Sequence, residues 1–428
     1  MFEQKENNRN IRLPFGFRDI FPVESHERNT IKRIMSKEFR SWGYGEVKTP
    51  VMEYTENISV GAGRDWKDKL INFIDIDGNL ISLRADMTIP IARLAGMRLR
   101  KGQLPARFCY FSDVFRQAGS QAGDKRVFSQ AGLEYLGSKR IMEADAEVMI
   151  ILIRILRQLG LDDFRVVLGH IGFINGLFDW LGLDGNIRED FKKYIVAKDF
   201  VRIESLLKKS DSRKAGIFTG LLQPENDLEK ISGIVSDTGE EKVSLAFDYL
   251  KGLHGMLEEL GLGKYLIFDF SIIRDFDYYT GLLFEVYCRG ITGIIGSGGR
   301  YDDLIKKFGS DIPATGFAVD IDVLHGALGQ KDLASVNKIL LMGPGGREKS
   351  GRVIKFADNV RKKGIDVEVI FDDDVGDGSM LAREKKCRFL VGLSEDLSMA
   401  VISDLQTSAT GKVDTGQFLK EIDKWIKS

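Results

Sequence analysis

FDFSIIRDFDYYTGLLFEVYCRGITGIIGSGGRYDDL, residues Phe268 to Leu304, is the stretch on which the fold of this chain turns. It opens with alternating apolar residues and reaches the cluster Arg274-Asp-Phe-Asp-Tyr-Tyr279. A second β-rich run, Leu282 to Tyr287, leads to a glycine-dense segment, Gly296 to Arg300, expected to be a tight turn. Arg274, Tyr278, Tyr279 and Arg300 gather where two strands and their turns meet. Cations and phenols at strand ends suit recognition of a small polar or anionic ligand. A buried strand pair with tyrosines at its margin is the competing reading, and the stretch alone leaves both open.

Outward from this stretch, the pattern alternates between strands and helices. Helical spacing of Ile31, Ile34, Met35, Phe39 and Trp42 predicts a helix over Glu24 to Trp42, and Tyr44 to Met52 reads as a strand. A hairpin is expected over Phe73 to Leu83, with Asp77-Gly78 at its tip. A helix with Pro90 in its first turn follows. Arg107 to Arg116 and Val127 to Gly137 form a second hairpin, and Ala144 to Leu159 is a long apolar helix. From about 171 to 261 the pattern turns helical, an insertion, before the β-rich pattern resumes. After a linker near Gln330, a β-α-β unit begins at Lys338. These readings give residues 1–329 as one domain with the insertion inside it, and 337–428 as a small C-terminal α/β domain.

The whole chain, 428 residues with 43% apolar side chains, is long enough for two or three packed cores. Lys and Arg number 62 against 63 Asp and Glu, so the charge balance offers no broad basic surface for nucleic acid. Three scattered cysteines form no CxxC pair, and four isolated histidines show no metal-site spacing. No apolar run is long enough to span a membrane, and the polar N-terminal dozen residues lack a leader pattern. A cytoplasmic protein is expected, with no metal and no cofactor.

Polar groups concentrate at the ends of four predicted strands: Arg84, Asp86 and Thr88; Arg116; Gln130 and Glu134; and Arg274, Asp277, Tyr278 and Tyr279. Gln130 and Glu134 are an even number of residues apart and share one strand face, beside small neighbours. Asp86 and Glu134 suit an ammonium or a ring N–H, and an arginine suits a carboxylate, a combination that fits a zwitterionic amino acid. Ion pairs between adjacent strands are the alternative. Gly343 to Gly351 follows a strand but matches no phosphate-loop pattern and reads as an ordinary βα turn.

Several long motifs in order resemble histidyl-tRNA synthetases. WGYGEVKTPVME (42–53) looks like the first class II motif, which in that family builds the dimer interface, and DVFRQAGSQAGDKRVFSQAGLEYLG (113–137) looks like the second. RDFDYYTGLLFE (274–285) and SGGRYDDL (297–304) resemble the two histidine-specific motifs, and PATGFAVDID (313–322) the third class II motif. The resemblance spans about residues 13 to 328. It implies an α+β fold, a class II aminoacyl-tRNA synthetase-like antiparallel sheet flanked by helices, with the small C-terminal α/β domain appended.

Two relatives share these motifs: the synthetases and the regulatory subunits of ATP phosphoribosyltransferase, the first step of histidine biosynthesis. The differences favour the second. Phe115-Arg116-Gln117-Ala118 carries a methyl where a synthetase has a glutamate that holds the ATP base. Val323 stands where a synthetase has an arginine that packs on adenine and reaches phosphate, and Asp320 replaces a small residue. Leu83-Arg-Ala-Asp-Met-Thr-Ile-Pro90 also leans to the regulatory subunits.

By resemblance, Asp86, Thr88 and Gln130 face the α-amino group of histidine, Glu134 and Tyr279 the imidazole, and Arg274 the carboxylate, with Tyr278 in the same motif and Arg116 retained beside them. Asp275 replaces a glycine in that motif. The implied protein has no catalytic residues of its own. Its expected partner is the short catalytic subunit of ATP phosphoribosyltransferase, with L-histidine as ligand and a dimer within a hetero-oligomer; tRNA binding is not expected. An active histidyl-tRNA synthetase is the alternative.

Overall fold

The structure is a computed structural model and describes residues 12–62, 64–117, 125–208, 211–225, 227–272, 278–329, 338–371 and 376–427. The expectations placed on Ala118, Arg274, Asp275 and Asp277, and on the linker after Gln330, lie outside the described residues. The chain divides into two compact units, Met1–Asp19 with Ile31–Gly329, and Ile20–Thr30 with Gln330–Ser428.

Helix α1 (Pro22–Ser41) buries Ile31, Met35 and Phe39 completely, residues spaced by four on one stripe. The strand expected over Tyr44 to Met52 is instead two short strands, β1 (Gly45–Glu46) and β2 (Met52–Tyr54). Thr49-Pro50 lies between them, and a proline has no N–H to give to a ladder. Helix α2 (Thr55–Ala62) follows, then the hairpin β3 (Asn72–Ile74) and β4 (Leu80–Leu83). At its tip Gly78 takes φ +84°, and Asp75 accepts the N–H groups of Asp77 and Asn79. These strands form a small antiparallel sheet in the order β2-β4-β3. Helix α3 (Thr88–Arg98) has Pro90 in its first turn, where a missing N–H costs nothing.

Strands β5 (Ala106–Phe115) and β6 (Val127–Leu136) pair in register along their full length. Helix α4 (Ile141–Gln158) buries Val148, Met149, Ile151, Leu152, Ile155 and Leu156, the pattern of a helix laid on the core. Strand β7 (Phe164–His170) leads into six consecutive helices: α5 (Ile171–Leu181), α6 (Gly185–Val196), α7 (Phe200–Lys208), α8 (Ser212–Leu221), α9 (Leu228–Thr238) and α10 (Glu241–Glu258). Their punctuation is local: the carboxylates of Asp211 and Asp227 cap α8 and α9 by accepting first-turn N–H groups.

The β pattern resumes with β8 (Leu266–Phe268), β9 (Leu282–Cys288), β10 (Gly296–Arg300) and β11 (Ala314–Asp320), closed by helix α11 (Ile321–Leu328). The eight-stranded sheet runs β1-β5-β6-β11-β10-β9-β7-β8. Its pairs are antiparallel except the two edge pairs, β1 with β5 and β7 with β8. Gly296 to Arg300 is therefore a central strand and not the tight turn that its glycines suggest. Bare backbone is needed because neighbouring strands press close: a Cβ on Gly298 would lie 2.2 Å from the Gly316 carbonyl oxygen.

The second unit contains β12 (Ile339–Met342), α12 (Arg347–Arg361), β13 (Val367–Ile370), α13 (Ser379–Glu384), β14 (Phe389–Leu393), β15 (Met399–Asp404), β16 (Thr410–Asp414) and α14 (Thr415–Lys427). Its sheet, β13-β12-β14-β15-β16, is parallel over the first three strands and antiparallel over the last two. Val353, Ala357, Val391, Ile402 and Phe418 form its core.

Candidate functional site

The site lies on one face of the large sheet, above β6, β11 and β10, and is walled by the segment that joins β4 to α3. A narrow cleft of about 50 Å³ brings together Asp86, Thr88, Arg116, Gln130, Glu134, Tyr278 and Tyr279. Seven of the eight residues expected from sequence thus share one cavity; the eighth, Arg274, lies outside the described residues. Ser297, Tyr301, Gly316 and Ala318 complete the wall.

Space for the polar groups is made by glycine. A Cβ on Gly316 would lie 1.8 Å from Glu134 Oε2, so any larger residue at that position of β11 would displace the carboxylate. On β6, a Cβ on Gly132 would meet the Tyr110 hydroxyl at 2.4 Å. Alternation along β6 puts Gln130, Gly132 and Glu134 on the same face, with Tyr110 of β5 opposite Gly132.

Glu134 is 1% exposed, and among the described residues no cation pairs with it. The Thr88 hydroxyl donates to its Oε1 at 3.0 Å and the Tyr301 hydroxyl donates to its Oε2. Loss of hydration pushes its pKa up to about 8; the two hydrogen bonds oppose that shift, and the nearby Asp86 charge adds to it. Asp86, also buried, is pushed up to about 7 by loss of hydration, against the pull of the Arg116 guanidinium and the Ile89 N–H. The Tyr278 hydroxyl reaches Asp86 Oδ2 at 3.5 Å. Two carboxylates in one dry cleft, both raised towards neutrality, form a site that a cation would complete.

Two further atoms point to a missing donor. Gln130 Oε1 and the hydroxyl of Tyr110 are buried without a hydrogen-bond partner among the described residues. Leaving such atoms unpaired costs about 1–3 kcal/mol each. A ligand ammonium or ring N–H supplies the donor they lack.

Arg116 donates Nε–H to the Ala85 carbonyl at 3.0 Å and lies over the rings of Trp66 and Phe128 at 5.3 and 5.4 Å. This fixes the guanidinium at the mouth of the cleft. Rings also fix Tyr278, which packs on Tyr279 with centroids 4.7 Å apart and meets Tyr301 edge-on at 5.8 Å.

Two arginines that sequence grouped with the ligand residues serve the fold instead. Arg300 is 4% exposed and makes a two-pronged pair with Asp145, at 2.8 and 3.2 Å, with a further bond to Asp302 at 2.9 Å. Arg84 donates to the carbonyls of Asp113 and Thr49 at 2.8 and 3.0 Å. Conversely, Tyr301 lines the cleft and Tyr110 lies next to it beneath Gly132, and neither stands out in the sequence as a site residue. Tyr301 follows Arg300 in a charged run, and Tyr110 sits in an apolar strand; only the register of β5 on β6 brings its hydroxyl beside Gly132 and near the Glu134 and Asp86 carboxylates. Outside the cleft lining, Asp320, paired with Gln130 across β11 and β6, caps α11 by accepting the N–H groups of Asp322 and Val323, so its carboxylate has a structural use. The first turn of α11 thus carries Val323, an aliphatic side chain without a charge to offer.

Comparison with known proteins fits this geometry. The family model described as histidyl-tRNA synthetase matches residues 16–324. The protein from Shouchella clausii named ATP phosphoribosyltransferase regulatory subunit is 35% identical over 395 residues, covering 90% of this chain and 97% of that one. Its namesake from Moorella thermoacetica is 34% identical over 84% of this chain and 92% of its own. This chain belongs to the ATP phosphoribosyltransferase regulatory subunit family. Its histidyl-tRNA synthetase-like domain is the one that carries the cleft. Among solved structures, the ATP phosphoribosyltransferase regulatory subunit/histidyl-tRNA synthetase from Bacillus halodurans superposes with a TM-score of 0.76 at 29% identity, over 90% of this chain and 98% of that one. A histidyl-tRNA synthetase from Nostoc reaches a TM-score of 0.81 at 21% identity over 97% and 99%, a likeness of fold. The α+β, class II synthetase-like architecture expected from sequence is therefore the one found. Among the described residues no helix is long and apolar enough to cross a membrane, and no cluster of His, Cys, Asp or Glu has metal-site geometry.

Proposed function

We propose that this regulatory-subunit family member has no catalytic activity of its own, and that its cleft holds free L-histidine and reports its presence to a short ATP phosphoribosyltransferase catalytic subunit. The observation that carries this reading is the pair of buried, raised carboxylates in the cleft, taken together with an uncharged residue at a motif position of α11. In and beside the cleft, two buried carboxylates and two oxygens without a hydrogen-bond partner among the described residues await a donor-rich group. In the first turn of α11, Val323 offers neither the charge nor the stacking plane that an arginine at that motif position would bring to an adenine nucleotide. A space of about 50 Å³ seats one small polar group, and a whole amino acid also uses the open side of the cleft.

Ligand binding regulates a partner only if the two assembly states differ in affinity for the ligand. Histidine therefore acts here by favouring one arrangement of the hetero-oligomer. The exposed apolar side chains of Val51, Met52, Tyr54, Phe73 and Ile74, on and beside the small β2-β4-β3 sheet, support self-association. The cytoplasm is the expected compartment.

Co-purification with a short catalytic subunit, followed by phosphoribosyl transfer assays with and without this chain and histidine, tests the reading. Activation by the chain and reversal by histidine are expected. A second measurement separates this from the synthetase alternative: the purified chain is expected to give no histidine-dependent pyrophosphate exchange. Robust exchange would overturn the proposal.

A further inference from the structure

The two hydroxyls that donate to Glu134, those of Thr88 and Tyr301, each stand at the start of a segment that ends at the same place on the surface. Thr88 is the first residue of α3, whose 11 residues carry the chain about 16 Å to Arg98. Tyr301 opens the bends that lead into a single 3₁₀ turn, Ile305–Phe308. Here the Leu304 N–H donates to the Tyr301 carbonyl at 3.3 Å, and the Lys307 N–H to the Leu304 carbonyl at 3.1 Å.

The two segments lock together where they end. A Cβ on Gly96 of α3 would lie 2.5 Å from the Phe308 carbonyl oxygen, so only a bare backbone lets the 3₁₀ turn sit on the helix. The Ser310 hydroxyl donates to the Gly96 carbonyl at 2.9 Å, and Lys307 Nζ donates to the Val60 carbonyl of α2 at 3.2 Å.

This junction presents apolar side chains beside a cluster of cations. Met97 is 65% exposed, and Val60 is exposed as well. Arg98, Arg100 and Lys101 at the end of α3, and Lys306 and Lys307 on the 3₁₀ turn, are all exposed. Among the described residues none of these five cations is in an ion pair with a carboxylate. The exposed carboxylates on the same segments are Glu56, one turn before Val60 on α2, and Asp303 and Asp311, which flank the 3₁₀ turn. Asp302 is spent on Arg300. Cations therefore outnumber carboxylates here, although the whole chain is balanced. The dipole at the end of α3 accounts for Arg98, but not for Lys306 and Lys307 or for the bare thioether of Met97. A two-fold contact centred on this surface would set its cations against themselves, which disfavours a second copy of the chain as its occupant.

We infer that the junction of α3 and the 3₁₀ turn is a docking face for a partner protein that presents carboxylates around an apolar spot, and that it is linked to the cleft through Thr88 and Tyr301. Naming that partner as the short catalytic subunit rests on the proposed function; the acidic character of its docking face rests on the cations alone. A cation seated on Glu134 redraws the bonds from Thr88 and Tyr301, and both segments carry that change to the docking face. Ligand and partner then alter each other's affinity by the same factor.

Binding of the full chain to the short catalytic subunit, measured with and without saturating L-histidine and at low and high salt, tests this. The parent affinity is expected to fall with salt and to change severalfold with histidine. Arg98→Glu combined with Lys306→Glu, two exposed positions, is expected to weaken the partner about tenfold or more and to leave histidine binding by the isolated chain unchanged. The milder pair Lys306→Gln and Lys307→Gln should weaken it in the same direction. Arg352→Glu with Lys355→Glu, the same change of charge on the exposed face of α12, should have no such effect. Partner binding by the parent that is indifferent to the α3 and 3₁₀ variants, or equal loss in the α12 variant, would overturn the docking face and leave the proposed function standing. Equal partner affinity with and without histidine would overturn the link to the cleft. Absence of partner binding by the parent would overturn the proposed function and this inference with it. A change in the chain's own sedimentation, or loss of RNA binding, in the charge-reversed variant would assign the surface to a second copy or to a polyanion instead.

Discussion

Thr88 opens helix α3 and Glu134 lies in strand β6, and the threonine hydroxyl donates to the glutamate carboxylate across 3.0 Å. That contact ties the segment after β4 to the middle of the large sheet. Among the described residues it also leaves the carboxylate hydrogen-bonded but uncompensated in charge, because the second donor, Tyr301, is another neutral hydroxyl. The electrostatic behaviour of the cleft follows from this arrangement.

Ligand affinity is expected to rise with pH and to release protons. Asp86 and Glu134, raised to about 7 and about 8, hold protons near neutrality that a bound cation displaces. Histidine calorimetry in buffers of different ionisation enthalpy measures the proton count. Identical heats in all buffers would remove the link between ligand and carboxylates.

The ligand-free chain is expected to lose stability as pH rises. Glu134 ionises near 4.5 in the unfolded chain and near 8 when folded, so between these values the folded state binds the extra proton. Its stabilisation is complete below the unfolded value and fades as pH passes through the folded one. Glu134→Gln keeps a neutral hydrogen-bonding group and should flatten that slope in denaturant titrations at pH 5 and pH 8, values chosen to bracket the change. An unchanged slope would assign the pH dependence elsewhere.

Glu134→Ala is expected to weaken histidine binding by about 2 kcal/mol or more while the chain remains folded by circular dichroism. Equal affinity in the variant and the parent would place the ligand elsewhere.

Tyr110→Phe separates binding from folding. The Tyr110 hydroxyl is buried and unpartnered, so its removal should leave the ligand-free fold as stable or slightly more so. Histidine binding should weaken by about 1 kcal/mol, the typical worth of one hydrogen bond. Marked destabilisation without a change in affinity would show that the hydroxyl serves the core.

Arg300→Met should behave in the opposite way. It strips the cation from Asp145, which is 0% exposed and keeps only neutral donors such as the Tyr249 hydroxyl among the described residues, and breaking such a buried pair costs about 3–5 kcal/mol. Urea unfolding measures the loss. Retained stability with lost histidine binding would return Arg300 to the ligand site.

Sequence alone determined many of the elements, because their signals are local and periodic: the four-residue spacing of Ile31, Met35 and Phe39, the apolar length of α4, the Asp-Gly turn at 77–78; the class of fold was legible through the motifs that resemble histidyl-tRNA synthetases. Residue identity at motif positions, such as Val323, likewise needed no coordinates. Only the tertiary structure decided which charged groups face a ligand and which face each other. Arg300 and Tyr301 are adjacent in sequence, yet one is spent on Asp145 and the other donates to Glu134 in the cleft. Gly296 to Arg300 reads as a turn until the crowding of β9 and β11 shows why a central strand there must be bare of side chains. Partners such as Thr88 with Glu134 and Tyr110 with Gly132 are distant along the chain, and only the packing of α3 and the register of β5 on β6 bring them together.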